Sequence, residues 1–367
     1  MSRHGVRWAM VAGGLLAWTG SSAAAQAGSY LFYVASESQD EVALVRLTPG
    51  EGLAVAKTIP VGWLPAEIEA PHGVYVDPDG AHWYLTLGHG FPFGSLIAYA
   101  TGADTVEGRV GLGMFPATVS VAPFGDLAFA VNSDFHGDRV PSSVSIVDLG
   151  SMIEIARVET CTMPHGSRFA PDGLHHYSTC MVDDQLVEID VSTLEVDRRL
   201  DLVTGESLPL DRTMTTGRSR QQCSPTWAAP SPDGRFVYVP CNKGNEVIEV
   251  DLQDWRITRR LPTPGAPYNA MVTPDGSRLA VTLKGAARLG VIDLTDGALH
   301  EVPTTRRVTH GVSVTPDGRF AVVSVEGIGG EPGTVDAIDL KTLTRVGSVD
   351  IGKQAGGIVF WRTDGPT

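Results

Sequence analysis

Several familiar signatures are missing from these 367 residues. There is no Cys-x-x-Cys-His, which excludes covalently attached c-type haem. His-Glu-x-x-His, Gly-x-Ser-x-Gly and Walker A patterns are absent as well. "GHGFPFG" (88–94) is glycine-rich, but no helical pattern follows it, so it does not read as a phosphate loop. Long amphipathic helical patterns are scarce. Beyond residue 27 no apolar run is long enough to span a bilayer. Basic residues are in deficit, 28 Lys and Arg against 42 Asp and Glu, for a formal charge of −14. That balance makes the chain a poor candidate for nucleic acid or anionic lipid and is compatible with cationic ligands, metal ions included.

What is abundant is turn chemistry, with 42 Gly and 24 Pro. Many turns and short strands follow from it. The length suits either two ordinary domains or one large repeat architecture.

The first residues, "MSRHGVRWAMVAGGLLAWTGSSAAAQAGS", have the three parts of a secretory leader. Arg3 and Arg7 supply the positive end. Trp8 to Trp18 is apolar but too short to cross a membrane, and small residues up to Ala25 and Ala27 offer a cleavage site. The alternative is a membrane anchor. We read 1–27 as a signal peptide and 28–367 as one exported domain, periplasmic or secreted.

Aligned on one turn, the domain repeats: "HGVYVDPDGAHWYLTL", "ATVSVAPFGDLAFAVN", "HGSRFAPDGLHHYSTC", "TWAAPSPDGRFVYVPC", "YNAMVTPDGSRLAVTL" and "HGVSVTPDGRFAVVSV". Each is an apolar run, a Pro-Asp-Gly-like turn and a second apolar run. Pro presets φ, Asp bonds back to the backbone and Gly takes φ > 0. A third strand ending in an acid follows in most copies, then a polar fourth stretch. Four strands recurring mostly every 42–48 residues predict propeller blades. A seventh blade is split: "AGGIVFW" (355–361) matches a first strand, while "YLFYVASESQDEVALVRL" (30–47) matches a second and third. The expected fold is all-β, a seven-bladed propeller whose ring is closed by its own termini.

This repeat, clearest at 231–252, resembles the YVTN/YncE-like family of seven-bladed propellers. The resemblance implies the fold over essentially the whole mature chain. It leaves function open, because such architectures include binding scaffolds, lactonase-like enzymes, haem d1-binding proteins and copper-site propellers.

His72, His165 and His310 occupy one repeat position, at the start of the inner strand, in blades two, four and seven. Blade geometry predicts that they surround one end of the central channel. Ala117, Thr226, Tyr268 and Gly356 complete that frame. Three converging imidazoles fit a transition-metal site. The resemblance makes copper the first candidate. His89, His136 and Met163 are potential extra ligands, and Met214 a weaker one. Two other readings stand beside the metal: histidines that cap a water-filled channel and bond to backbone, or an organic ligand held with Tyr268, Arg168 and Trp227. His82, His175, His176 and His300 read as surface residues.

Cys161, Cys180, Cys223 and Cys241 are an even set in an exported chain. Their positions in the frame predict Cys161–Cys180 and Cys223–Cys241 bridges, with a thiolate metal centre as the alternative. An inserted loop, 203–222, carries Arg212, Arg218 and Arg220 and is expected over the histidine face as a lid, an anion-binding loop or a segment without a role. Asp148, Asp190, Asp251, Asp293 and Asp339 recur after third strands and read as turn formers. Three functions remain: a metal-binding propeller related to oxidoreductases, a non-catalytic scaffold for a ligand or protein, and a lactonase- or lyase-like enzyme with a channel histidine as base.

Overall fold

The computed structural model describes Met1 and residues 28–89, 93–214 and 221–365. The leader and the loop arginines Arg218 and Arg220 lie outside the described residues. Seven four-stranded antiparallel sheets surround an axis. Blade one combines Ala355–Asp364, its inner strand, with Ser29–Ser36 and the two strands that follow. Tyr30 lies opposite Thr363, and Val34 opposite Ile358. The termini therefore close the ring as the repeats predict, leaving no open gap between first and last blade. The other inner strands are Pro71–Val76, Pro116–Val121, Pro164–Phe169, Ala229–Pro230, Pro267–Val272 and Val308–Val314, for blades two to seven.

The turn sequence does what its chemistry requires. Gly80, Gly173, Gly234, Gly276 and Gly318 all take φ between 70° and 72°. The acids after the third strands also form turns. Asp251 accepts the N–H groups of Gln253 and Asp254, each at 3.0 Å, and Asp339 accepts those of Lys341 and Thr342.

Seven apolar clusters fill the ring, one at each blade–blade interface. Blade one contributes Leu31 and Tyr33 to the interface with blade two, and Phe32 and Val34 to that with blade seven. Alternation along the strand sends each set to its own neighbour.

Both bridges form as expected, Cys161–Cys180 and Cys223–Cys241. They fit an oxidising compartment. Among the described residues no helix is long and apolar enough to cross a membrane.

One surface assignment is overturned. His176 is fully buried, its ring 4.6 Å from that of Phe129 and 4.9 Å from that of Phe169. The strand His175–Cys180 alternates, so if His175 faces outward, His176 enters the interface. His300 is exposed, and His82 and His175 are half-buried.

Candidate functional site at the propeller axis

The axial histidines are aimed by a backbone irregularity. Pairing between first and second strands shifts register at Pro71/Val74, Pro164/Ser167, Pro267/Ala270 and Thr309/Val312. The residues skipped include His72, His165, Tyr268 and His310. A bulge releases them from the ladder and redirects their side chains, as bulges beside functional sites do. The released N–H groups are satisfied from the second strand: Gly73 donates to Thr86 Oγ1, Asn269 to Thr282 Oγ1 and Gly311 to Ser324 Oγ, each at 2.8 Å. Glycine after histidine has a steric cause. A Cβ on Gly73 would meet Thr118 Cα at 2.8 Å, and one on Gly166 would meet the Thr226 carbonyl at 2.3 Å.

A second device repeats in six blades. Ala70, Phe115, Met163, Ser224, Ala266 and Gln354, each two residues before a frame position, take φ between 45° and 56°. In five of them a proline follows: Pro71, Pro116, Pro164, Pro225 and Pro267. The left-handed residue swings the chain inward. Met163 belongs to this turn.

His72 and His165 share one hydrogen-bonding pattern. His72 Nδ1 lies 2.6 Å from the Ala117 carbonyl, and His165 Nδ1 lies 2.7 Å from that of Thr226. Each acceptor is the frame residue of the next blade. A carbonyl only accepts, so Nδ1 carries the proton and Nε2 is the bare nitrogen. His310 faces Gly356, its own next-blade frame residue, but its Nδ1 makes no hydrogen bond of normal geometry. The rings of His165 and His310 lie 6.3 Å and 5.6 Å from that of His72. Tyr268 stands between the other two, donating its hydroxyl to His165 Nε2 at 2.9 Å, with its ring 4.7 Å from that of His310.

Burial above all pulls the pKa of His165 down to about 3, and the charge of Lys284 adds to the effect. Burial, then Lys284, holds His310 well below the usual histidine value. Both are neutral at physiological pH.

Sequence reasoning missed three charged neighbours. Glu37 Oε2 lies 3.9 Å from His72 Nε2, and Glu326 Oε1 lies 3.8 Å from His310 Nε2. Lys284 Nζ lies 3.2 Å from Glu326 and 4.2 Å from the centroid of the Tyr268 ring. Burial raises the Glu326 carboxyl, while Lys284 opposes the shift. All three residues stand at or just after the end of a second strand. The same repeat frame that located the histidines contained that signal.

His89 and His136 do come together, stacked at 5.4 Å. They lie apart from the axial group, each against Phe115, which also contacts His72. Phe135 stands between Phe115 and His165. The pair lines a separate recess of about 450 Å³ with Glu67 and Asp134.

The expected metal centre does not fit this arrangement. Among the described residues no group of three or more His, Cys, Asp or Glu is placed to hold an ion. His165 has spent both nitrogens, one on Thr226 and one on Tyr268.

Beneath the histidines runs a channel of about 370 Å³, walled by all seven blades. His72 and His310 line it, together with Arg168 and Trp227. Tyr268, Arg168 and Trp227, the residues expected around an organic ligand, thus gather at the axis: the Trp227 ring lies 5.5 Å from that of His165 and 5.6 Å from Arg168 Cζ.

No family model matches the chain, and no curated protein is significantly similar to it. Solved structures do resemble it. Hydrazine synthase of Kuenenia stuttgartiensis superposes with a TM-score of 0.61 at 19% identity, over 76% of this chain and 81% of that one. A putative 6-phosphogluconolactonase of Bacteroides uniformis gives a TM-score of 0.69 at 13% identity, over 91% and 99%. At these identities the likeness is one of fold.

Proposed function

We propose that the axial channel receives a small organic molecule and that an axial histidine acts on it as general base, in the manner of a lactonase or lyase. One observation carries this reading. The Nδ1–H of His72 is fixed on a backbone carbonyl, which leaves Nε2 as a bare nitrogen beside a ligand-sized channel. His165 is occupied by Tyr268 and acts through position, holding the end of the channel together. His310 lines the same channel, beside Glu326. A propeller of similar fold bears the name of a putative lactonase, which supports the class. The YVTN/YncE-like resemblance and an exported, periplasmic location belong to the same proposal, on the repeats, the leader and the two disulfides.

The test uses a panel of five- and six-membered lactones, with ring opening followed by proton release. The wild type is expected to exceed the buffer rate. His72→Asn keeps a side-chain N–H for the Ala117 carbonyl but removes the basic nitrogen, so it should slow turnover by about 10²–10⁴-fold without lowering the melting temperature. Binding without turnover would leave a scaffold role. Equal rates for wild type and His72→Asn would remove His72 as the base.

A further inference from the structure

Arg168 is a cation in the channel with no counter-ion among the described residues. Its strand belongs to blade four, yet its guanidinium reaches blade six, where Nη1 donates to the Ala270 carbonyl and Nη2 to Asn269 Oδ1 at 3.1 Å. A guanidinium has five N–H donors, so three remain. No carboxylate pairs with Arg168 among the described residues, and no Asp or Glu lines the channel. The contrast within the chain is sharp. Arg198 and Arg259 each meet a buried acid, Glu188 and Glu249.

Two further donors belong to residues of the same wall. Among the described residues Trp227 Nε1 and Ser167 Oγ are buried with no partner, and both residues line the channel. An indole N–H only donates. Buried donors without acceptors are destabilising, and an unpaired buried charge more so. The rest of the wall is largely apolar, with Val74, Val119, Val312 and Phe360 among its residues.

We infer that the channel takes a small carboxylate with an apolar body, its anion held by the free edge of Arg168, beside which the unpartnered Trp227 and Ser167 donors lie in the wall. A carboxylate matches a guanidinium with two parallel hydrogen bonds and supplies the acceptors that these groups lack. Burial lowers Arg168 only to about 10, so it stays charged at neutral pH. The inference rests on the channel being the binding site proposed above, and needs no turnover there.

Calorimetric titration with hexanoate and benzoate, against 1-hexanol and benzyl alcohol, separates the two ideas. The carboxylates are expected to bind at least ten-fold more tightly than the alcohols. Arg168→Gln should abolish that preference, Arg168→Lys should keep part of it, and Trp227→Phe should weaken carboxylate binding several-fold. Arg235→Gln, on the exterior, serves as the control. If Arg168→Gln fails to fold, the lysine and phenylalanine variants decide. Equal affinity for alcohols and acids in the wild type would overturn the anion site and leave the channel as a binding site. No binding of either class would overturn both.

Discussion

The hydroxyl of Tyr268 donates to Nε2 of His165 at 2.9 Å, across a sequence separation of 103 residues. The same imidazole bonds to the Thr226 carbonyl through Nδ1, so one side chain ties blades four, five and six at the axis. Tyr268→Phe should therefore destabilise the protein by about 1–3 kcal/mol, the cost of a buried acceptor left unsatisfied. Urea unfolding measures it. A change within about 0.3 kcal/mol would show that the tie is dispensable.

Acid should weaken the ring through its buried histidines. His165 and His176 are each pulled down to about 3, by burial above all. An unfolded histidine titrates near 6.5. Between those values the unfolded chain binds protons that the folded chain excludes. Stability is therefore lost as pH falls from about 6.5 to about 3, at up to about 1.4 kcal/mol per pH unit for each histidine. His176 has Ser120 Oγ at 3.2 Å as its polar contact and aromatic rings elsewhere. In His176→Phe one such histidine is gone, so the variant should gain on the wild type as pH falls through this window. Parallel stability curves for the two proteins would contradict the assignment.

The same histidine marks where the sequence stopped being legible. The Pro-Asp-Gly turns fixed blade number, terminal closure and both cysteine pairs, because turn residues and strand period are local signals. The frame also showed that His72, His165 and His310 share one end of the axis, where the rings of the other two lie 6.3 Å and 5.6 Å from that of His72. It did not show that a bulge aims them, since the hydroxyls that accept the freed N–H groups, on Thr86, Thr282 and Ser324, are thirteen residues further on. Nor did it place His176, whose neighbour His175 has identical chemistry and the opposite face. The prolines before the frame residues were visible, but their meaning depends on a left-handed residue that no composition rule announces at Ala70 or Phe115.

Closure by the termini makes the last strand structural. Trp361 Nε1 donates to the Gly80 carbonyl at 3.2 Å, and its ring lies 5.4 Å from that of Tyr33. A chain ending at Gln354 loses the inner strand of blade one and exposes two interface clusters. It should lose its single cooperative melting transition or fail to accumulate. A truncated chain that melts like the wild type would show that the ring does not need this strand.

The disulfides close loops of similar length, 19 and 18 residues apart in sequence. Removing either pair by double alanine substitution should cost about 3 kcal/mol if the chain-entropy account holds. The Cys223–Cys241 bridge also anchors the end of the inserted loop, where Asp184 accepts the N–H groups of Cys223 and Ser224. Proteolysis within the loop should thus accelerate more in the Cys223/Cys241 variant than in the Cys161/Cys180 variant. Equal rates would assign that anchoring to Asp184 alone.

Copper and zinc provide the sharpest test of how the axial histidines are used. A three-imidazole centre needs three bare nitrogens about 2 Å from one point. At the axis, His165 Nε2 is instead the acceptor for Tyr268. Equilibrium dialysis against Cu(II) and Zn(II) should therefore find the wild type binding no more metal than the His72→Ala/His165→Ala/His310→Ala variant. Tyr268→Phe frees the third nitrogen without moving its backbone, so any gain in affinity should appear there first. One equivalent of tightly held metal in the wild type, lost in the triple variant, would mean that Tyr268 yields its place to the ion. The channel histidines would then be ligands, and His72 would have no free nitrogen left to act as a base.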